Sequence, residues 1–160
     1  MASFITVADI ITAAVEIERR GHAFYNHVSV NALEVEDKDF FTFMAKEELR
    51  HEKIFKKMLA RTGGLELPVG TSDAEYLEYV HLLLNSHEMF LPEQQRNAAT
   101  HPLNTAISFE KDTILFFTAM RRLVPDAEHA QIDACITEEE KHLRLIAEYT
   151  KARAMAKKNA

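Results

Sequence analysis

Two parts of this chain carry the same set of acidic residues and histidines at the same spacing. In each part a lone glutamate precedes a Glu-x-x-His motif by about thirty positions, and the second set lies 91 to 92 residues after the first. The two sets are Glu18, Glu48 and His51, then Glu110, Glu139 and His142. In a helix, residues i and i+3 share a face, so each motif directs a carboxylate and an imidazole to one side. The spacing therefore predicts a site where four carboxylates and two imidazoles bind two metal ions.

The composition favours one helical domain over residues 1–160. Only 4 glycines and 4 prolines occur among 160 residues, of which 47% are hydrophobic. A chain of this length buries a core without help from disulfides. The single cysteine, Cys135, excludes an internal disulfide and a Cys-x-x-Cys metal site. We therefore predict an all-α fold.

The charge and hydropathy of the chain disfavour several classes of partner. A net charge of -6 argues against nucleic acid. No uncharged run approaches the roughly 18 residues that a membrane span needs, and the first residues do not have the pattern of a signal peptide. We expect a cytoplasmic protein without nucleic-acid or membrane partners.

Hydrophobic periodicity predicts four long helices, with an extra helix in the connection between the second and the third. The bundle helices are expected at about 6–30, 38–62, 103–124 and 126–155, and the crossover helix at about 72–91. A connection from Thr62 to Thr105 is far longer than a hairpin needs. It should therefore cross the length of the bundle, which makes the second and third bundle helices roughly parallel.

Local signals predict the helix ends. Thr6, with Asp9 three residues on, predicts the start of the first helix, and Asp37 or Asp39 predicts the cap of the second. We expect Gly63-Gly64 to end the second helix in left-handed conformations. Ser72-Asp73 predicts the cap of the crossover helix, and the third bundle helix is expected to begin after His101-Pro102. Pro125-Asp126 predicts a stop followed by the cap of the fourth bundle helix.

The predicted helices bring each lone glutamate level with its Glu-x-x-His partner. Glu18 and Glu48 lie roughly 15–18 Å from the first hairpin turn, and Glu110 and Glu139 roughly 20 Å from the second, at about 1.5 Å per residue. We interpret Glu48 and Glu139 as bridging carboxylates, because each shares a helix turn with a histidine. Glu18 and Glu110 are then terminal carboxylates. Without cations these charges repel, so replacing both bridging residues with Gln is expected to stabilise the metal-free protein.

Around these residues the chain resembles the rubrerythrin-like branch of the ferritin-like superfamily. The similarity spans roughly residues 5–150, and its clearest stretches are 17–25, 47–55, 109–117 and 138–145. The resemblance implies a ferritin-like four-helix bundle with a carboxylate-bridged di-iron centre that reduces peroxide or activates dioxygen. It also implies that four carboxylates are the catalytic residues, namely Glu18, Glu48, Glu110 and Glu139. Carboxylate oxygens with one imidazole per ion suit two Fe ions, with Mn as the alternative.

Three features of the sequence limit what can be carried over from the resemblance. These 160 residues contain no four-cysteine rubredoxin module, so we expect electrons to come from a separate donor such as rubredoxin. Thr113 stands where those rubrerythrins carry an extra glutamate used in redox-linked ligand exchange, which weakens a peroxidase assignment. Leu49 stands where a methionine would indicate a bacterioferritin haem site.

Two glutamates next to the predicted ligands are candidates for orienting the histidines. We expect Glu47 to accept the second ring proton of His142, and Glu138 that of His51. The alternative is that both are ordinary surface acids. Tyr25 is interpreted as a half-buried core residue, with a hydrogen bond to a ligand carboxylate as the alternative and a redox role as another.

The remaining candidates are given structural roles. His22 is expected to be partly exposed and not a third imidazole ligand, and Gly21 beside it lets a neighbouring helix come close. Cys135 is predicted to be a buried structural thiol. No role follows from the sequence for His81, His87, His101 and His129.

The leading hypothesis is a homodimeric di-iron oxidoreductase that reduces peroxide or activates dioxygen. One alternative is a ferritin-like protein that oxidises and stores iron, and particle size distinguishes a storage shell from a dimer. The other alternative is a non-catalytic scaffold that has kept a metal site, and metal analysis of the purified protein tests it.

Overall fold

The computed structural model describes residues 6–67, 74–92 and 101–160, and these ranges are helical apart from turns and one isolated β-bridge. The α-helices are α1 (Val7–Asn31), α2 (Val35–Thr62), α3 (Ala74–Asn85), α4 (Pro102–Met120) and α5 (Asp126–Lys158). Short 3₁₀ turns follow α3 and α4, at Glu88–Phe90 and Arg121–Leu123. The predicted fold class is confirmed, because α1, α2, α4 and α5 form a four-helix bundle and α3 lies in the crossover.

The first hairpin pairs α1 with α2. Thr6 caps α1 as predicted: its hydroxyl accepts a hydrogen bond from the Asp9 N–H at 3.3 Å, and its own N–H donates to the Asp9 carboxylate at 2.7 Å. The Val7 N–H donates to the carbonyl of Leu65, just beyond α2, at 3.2 Å. The start of α1 therefore lies beside the end of α2, and the two helices are antiparallel.

The ends of α2 differ from the prediction. The helix begins directly after Glu34, which makes no side-chain capping bond. Asp37 and Asp39 lie inside the helix, so both predicted caps are wrong; acids in the first turn instead favour the helix through its dipole. Gly63 has φ -60° and donates its N–H to the Leu59 carbonyl at 2.9 Å, and no described glycine has a positive φ. The predicted left-handed ending is therefore also wrong, because the right-handed turn simply continues.

Contacts near both ends of α5 establish the directions of the helices. Glu128, near the start of α5, binds Arg61 at the end of α2 with an N···O distance of 2.7 Å. Arg153, near the end of α5, binds Asp37 at the start of α2 at 2.8 Å. These contacts make α5 antiparallel to α2, and the short connection 121–125 makes it antiparallel to α4, against which it packs. Helices α2 and α4 are therefore parallel, as the long crossover predicted.

The crossover helix is shorter than predicted. α3 ends at Asn85, and a 3₁₀ turn replaces the last turns that were expected up to residue 91. The change occurs at His87, whose backbone is extended and whose Nδ1 caps the 3₁₀ turn by accepting a hydrogen bond from the Met89 N–H at 3.2 Å. The predicted cap Ser72-Asp73 lies outside the described residues.

Helix α4 lies between the crossover and α5. It begins at Pro102, one residue before the predicted start, and the His101 imidazole caps it by accepting a hydrogen bond from the Leu103 N–H at 3.2 Å. It gives way to a 3₁₀ turn four residues before its predicted end at 124. The Tyr76 O–H donates to the Ala119 carbonyl at 2.6 Å, which holds α3 against α4.

The last helix is longer than predicted. It begins directly after Pro125, so Asp126 lies in its first turn and is not its cap, contrary to the prediction. Its end at Lys158 is three residues beyond the expected position. None of the described helices combines the length and the apolar character needed to cross a membrane.

Candidate metal centre

The six side chains predicted to be metal ligands meet in the core of the bundle. Glu18 comes from α1, Glu110 from α4, and the two Glu-x-x-His motifs from α2 and α5. His142 is 3% exposed and the other five are 0% exposed. Burying four carboxylates together is costly in free energy unless cations compensate their charge.

The six residues form two overlapping sets of four donors. Within each set, one ligand atom from each residue lies within 4.8 Å of the others. The sets are Glu18, Glu48, His51 and Glu139, and Glu48, Glu110, Glu139 and His142. Two carboxylates, Glu48 and Glu139, belong to both sets, whereas Glu18 and Glu110 belong to one each. These are the positions that bridging and terminal ligands of a metal pair would occupy.

The two histidines face this cluster in the same way. Their rings stack with centroids 5.5 Å apart. Glu139 lies between them, with its Oε1 2.6 Å from His51 Nδ1 and its Oε2 3.0 Å from His142 Nδ1. The first of these contacts lacks the geometry of a hydrogen bond. Each ring therefore directs Nδ1 inward and leaves Nε2 for a second partner.

Most of the inward-facing atoms have no hydrogen-bond partner among the described residues. They are both carboxylate oxygens of Glu18 and of Glu48, Glu110 Oε2, Glu139 Oε1 and His51 Nδ1. Buried polar atoms are nearly always paired, and these atoms converge from four helices on one volume. Carboxylate oxygens with one imidazole per set are donors suited to Fe or Mn. The residues present thus fit a pair of such ions.

The electrostatics of the metal-free cluster favour partial protonation. Burial, followed by the charge of Glu139, raises the pKa of Glu18 to about 8. Burial also raises the pKa values of Glu48 and Glu110 well above their usual range. Burial opposes ionisation of Glu139 too, but its contacts with the two histidines hold its pKa below the usual range. One carboxylate is therefore charged and paired, while the others take up protons unless cations replace them.

The outward nitrogens of the histidines face the two glutamates predicted to orient them. His51 Nε2 lies 2.6 Å from Glu138 Oε2, which confirms the geometry of that pair. His142 Nε2 lies 3.7 Å from Glu47 Oε2, which is beyond hydrogen-bond range. Arg50 binds Glu47 at 2.8 Å and also contacts Glu138, so it links the two acids.

Tyr25 is fully buried, and its O–H donates a hydrogen bond to Glu110 Oε1. The interpretation of Tyr25 as a half-buried core residue is therefore wrong, and the alternative hydrogen bond to a ligand carboxylate is the arrangement observed. A phenol removed from water needs an acceptor, and Glu110 provides it. Phe117 occupies the matching place in the second half of the chain and packs on Phe55, with ring centroids 4.8 Å apart. The repeat is therefore asymmetric at this position.

Gly21 allows α1 to approach α4 closely, as expected. A Cβ atom at this position would lie 2.3 Å from Phe109 Cζ and 3.1 Å from Glu48 Oε2, so a larger residue would press on the cluster. His22 is partly exposed as predicted, and its Nδ1 lies 2.7 Å from the Ala45 carbonyl oxygen. It belongs to neither ligand set.

Cys135 is 1% exposed, and burial, followed by the charges of Glu18 and Glu139, raises the pKa of its thiol to about 12. A buried thiol that stays protonated is a poor nucleophile, which agrees with the predicted structural role. His81 and His129 are partly exposed and belong to neither ligand set.

His87 was given no role by the sequence, yet it is completely buried. Its Nε2 lies 3.1 Å from Oγ1 of Thr113, one helical turn after Glu110. Its ring packs edge-on against Phe109, with centroids 5.6 Å apart. No paired spacing marks His87, and the one signal in the sequence is its position on the apolar face of the predicted crossover helix.

Comparisons with known proteins agree with this fold. A similar crystal structure is that of a Thermotoga maritima protein described as a ferritin-like diiron-carboxylate protein. Its TM-score to this chain is 0.63 and its sequence identity is 22%. The match covers 94% of this chain and 98% of that one. No curated protein sequence matches the chain significantly. The sequence model of the rubrerythrin family matches residues 9–89, about half of the chain, and this range includes Glu18, Glu48 and His51. The chain therefore belongs to the rubrerythrin family.

Proposed function

We propose that the protein is a di-iron carboxylate oxidoreductase that reduces hydrogen peroxide with electrons from a separate donor protein such as rubredoxin. The observation that carries the proposal is the set of buried oxygens on Glu18, Glu48, Glu110 and Glu139 that find no hydrogen-bond partner in the described part of the chain. Membership of the rubrerythrin family supports iron as the metal. When bound, a reduced iron pair supplies the two electrons that cleave an O–O bond.

The four glutamates in this proposal hold the ions and balance their charge. Glu48 and Glu139 reach both ligand sets and would join the two ions, while Glu18 and Glu110 would each complete one set. Four carboxylates carry the charge that neutralises two divalent cations. Loading therefore removes most of the electrostatic cost of burying these groups.

The neighbouring residues fix the ligands in position. Glu138 accepts the Nε2 proton of His51, which leaves the lone pair of Nδ1 directed at the cluster. Tyr25 holds Oε1 of Glu110, so Oε2 is the oxygen left for a metal ion. Both contacts reduce the reorganisation that ligands undergo when a metal binds.

The aromatic core around the centre restricts access of water. Phe109, Phe116 and Phe117 are each 0% exposed on α4. Exclusion of water strengthens the electrostatic interactions inside the site and suppresses side reactions. A small, uncharged oxidant such as hydrogen peroxide suits such a site better than a bulky or charged one. Its reduction to two waters consumes two electrons and two protons.

A stopped-flow measurement tests the proposal. The iron-loaded, reduced protein is mixed anaerobically with hydrogen peroxide, or separately with dioxygen, and oxidation of the iron is followed by absorbance. The proposal predicts rapid oxidation by peroxide and much slower oxidation by dioxygen. Equal rates, or no reaction with either oxidant, would contradict it.

Two variants on the same helix make this test specific. Glu48→Gln removes a shared ligand and should abolish the fast reaction. Glu52→Gln is the matched control, because Glu52 is 5% exposed on α2 but lies outside both ligand sets. It should react like the wild type.

The partners of the reaction are part of the proposal. Reduced rubredoxin should be oxidised by peroxide only when catalytic amounts of the iron-loaded protein are present. The homodimer expected from the sequence stays a prediction that a size measurement tests. A particle of hundreds of kilodaltons would instead indicate an iron-storage shell.

A further inference from the structure

The hydrogen bonds of His87 fix which of its nitrogens carries the proton. The Met89 N–H donates to His87 Nδ1 at 3.2 Å, and a backbone N–H can only donate, so Nδ1 carries no proton. Burial keeps the ring neutral and lowers its pKa to about 3. Its single proton therefore lies on Nε2, which donates to Thr113 Oγ1 at 3.1 Å. The oxygen of Thr113 is the acceptor in this pair.

The hydroxyl proton of Thr113 has no acceptor among the residues that the structure describes. Thr113 is 0% exposed, and its side chain bonds only to His87 within those residues. Threonines inside helices often donate to the carbonyl four residues earlier. Among the described threonines, four others do so at 2.7–2.9 Å, namely Thr62, Thr118, Thr137 and Thr150. At Thr113 a buried O–H donor is left free, which is uncommon.

Thr113 shares a face of α4 with the predicted ligand Glu110. Thr113 follows Glu110 by one turn, so the two side chains share a face and their Cβ atoms lie about 5–6 Å apart. Oε1 of Glu110 accepts the Tyr25 hydroxyl, and its Oε2 has no hydrogen-bond partner within residues 6–67, 74–92 and 101–160. The Thr113 side chain therefore lies beside Glu110 on the same face of α4, one turn further along the helix.

We propose that the Thr113 hydroxyl, oriented by His87, donates a hydrogen bond to a small ligand with oxygen or nitrogen lone pairs that binds at the Glu110 end of the centre. The inference rests on the proposed function, because it requires a loaded metal pair. It also gives a role to His87, because the bond from its Nε2–H to Thr113 Oγ1 limits the directions in which the threonine hydroxyl can donate.

Two simpler explanations of Thr113 leave its geometry unexplained. A side chain kept for packing alone could be valine, which has the same shape and no buried hydroxyl to satisfy. A tether between the crossover and α4 requires only the bond donated by His87. The threonine proton would then be expected to bind the Phe109 carbonyl, four residues earlier, as it does in the other helical threonines.

Azide binding to the oxidised, iron-loaded protein tests the inference, because azide is a small anion whose terminal nitrogens accept hydrogen bonds. Dissociation constants are measured for the wild type, Thr113→Val and Thr113→Ser, and for Thr118→Val as an exposed threonine on the same helix. We expect Thr113→Val to raise the dissociation constant about tenfold, which is typical of one lost hydrogen bond to a charged group. Thr113→Ser and Thr118→Val should bind azide as the wild type does.

The infrared band of bound azide provides a readout that packing alone would not move. The band should shift between H₂O and D₂O in the wild type and in Thr113→Ser, but not in Thr113→Val. His87→Phe keeps a ring at this position but removes the donor. We expect it to weaken azide binding several-fold, because the hydroxyl can then turn to the Phe109 carbonyl.

The outcomes separate this inference from the proposed function. Equal azide dissociation constants for the wild type and Thr113→Val would overturn the inference but not the proposed function. The same holds if Thr113→Ser loses as much azide affinity as Thr113→Val. Iron content is measured for every variant, and loss of iron from Thr113→Val would overturn it by making Thr113 a residue that retains metal. If the wild type holds no iron pair, the proposed function fails and the inference fails with it.

Discussion

His51 Nε2 lies 2.6 Å from Glu138 Oε2, whereas His142 Nε2 lies 3.7 Å from Glu47 Oε2. The first distance is that of a hydrogen bond and the second is not. Arg50 adds to this difference, because it contacts both glutamates and lies 3.2 Å from His51 Nε2. A ligand set that repeats in the sequence is therefore supported unequally in the fold.

Replacing Glu138, which lies within hydrogen-bond distance of its histidine, should weaken metal binding more than replacing Glu47. We expect Glu138→Gln to lower iron affinity by about 10- to 100-fold, since loss of the charged acceptor frees the His51 ring. Glu47→Gln is the matched control and should have a smaller effect. Competitive titration against a chelator measures both affinities, and equal losses in the two variants would contradict this account of the asymmetry.

The two shared carboxylates should respond in opposite ways to replacement in the metal-free protein. The pKa of Glu48 is raised well above its usual value of 4.5 by burial, so Glu48→Gln should stabilise the protein by up to about 3 kcal/mol at pH 7. Glu139 is charged and contacts both histidines, so Glu139→Gln should destabilise it by about 3–5 kcal/mol. Urea unfolding in the presence of a chelator measures both changes.

This contrast corrects the expectation that replacing Glu48 and Glu139 together simply stabilises the metal-free protein. The two effects oppose each other, so the double variant should unfold at a lower urea concentration than Glu48→Gln alone. A stabilising effect of Glu139→Gln would show that its contacts with the histidines are unimportant without metal.

The stability of the metal-free protein should fall as the pH rises. Glu18 has its pKa raised from 4.5 to about 8, so its contribution is complete below 4.5 and is lost as the pH rises through 8. Burial lowers the pKa of His51, but contact with Glu139 outweighs this effect and raises the pKa from 6.5 to about 10. The stability that His51 contributes is therefore lost as the pH rises from 6.5 to about 10. The lowered pKa of Glu139 adds stability that is already complete above 4.5.

Urea unfolding of chelator-treated protein at several pH values between about 5 and 9 measures this trend. The free energy of unfolding should fall by up to about 1.4 kcal/mol per pH unit for each group. Iron-loaded protein is the control and should show a much weaker dependence, because bound cations replace the protons. A metal-free stability that rises with pH over this range would contradict the protonation scheme.

The bundle and the clustering of the six predicted ligand residues followed from the sequence because periodic patterns determine them. Glu18 and Glu110 could be paired with their Glu-x-x-His motifs because a helix has a fixed rise per residue, so sequence spacing gives the distance of each residue from the hairpin turn. Thr6 with Asp9 was recognisable because a capping box depends only on neighbouring residues.

Other features depend on tertiary contacts that no local pattern encodes. Asp37 resembles a helix cap in the sequence, but in the fold its carboxylate binds Arg153, more than a hundred residues away. His87 has no spacing partner, and its role depends on Thr113, which belongs to another helix. The burial of Tyr25 likewise depends on Glu110, which only the folded bundle places within reach.

Gly21 should be one of the least replaceable residues outside the ligand set. Gly21→Ala would place a Cβ 2.3 Å from Phe109 Cζ and 3.1 Å from Glu48 Oε2. Relief of this overlap should cost about 1–3 kcal/mol of stability and should weaken iron binding by displacing Glu48. Gly64→Ala is the control, since its Cβ would meet no atom within 4 Å. Thermal unfolding and iron titration of the two variants test this, and equal behaviour would contradict the close approach of α1 and α4.

The central claim is that Glu18, Glu48, His51, Glu110, Glu139 and His142 hold a coupled pair of iron ions. Anaerobic titration with ferrous iron, followed by oxidation and Mössbauer spectroscopy, tests it most directly. The account predicts two irons per chain in the wild type, with a spectrum of magnetically coupled ferric ions, and no coupled pair in Glu48→Gln. One iron per chain, uncoupled ions, or a coupled pair that survives in Glu48→Gln would contradict it.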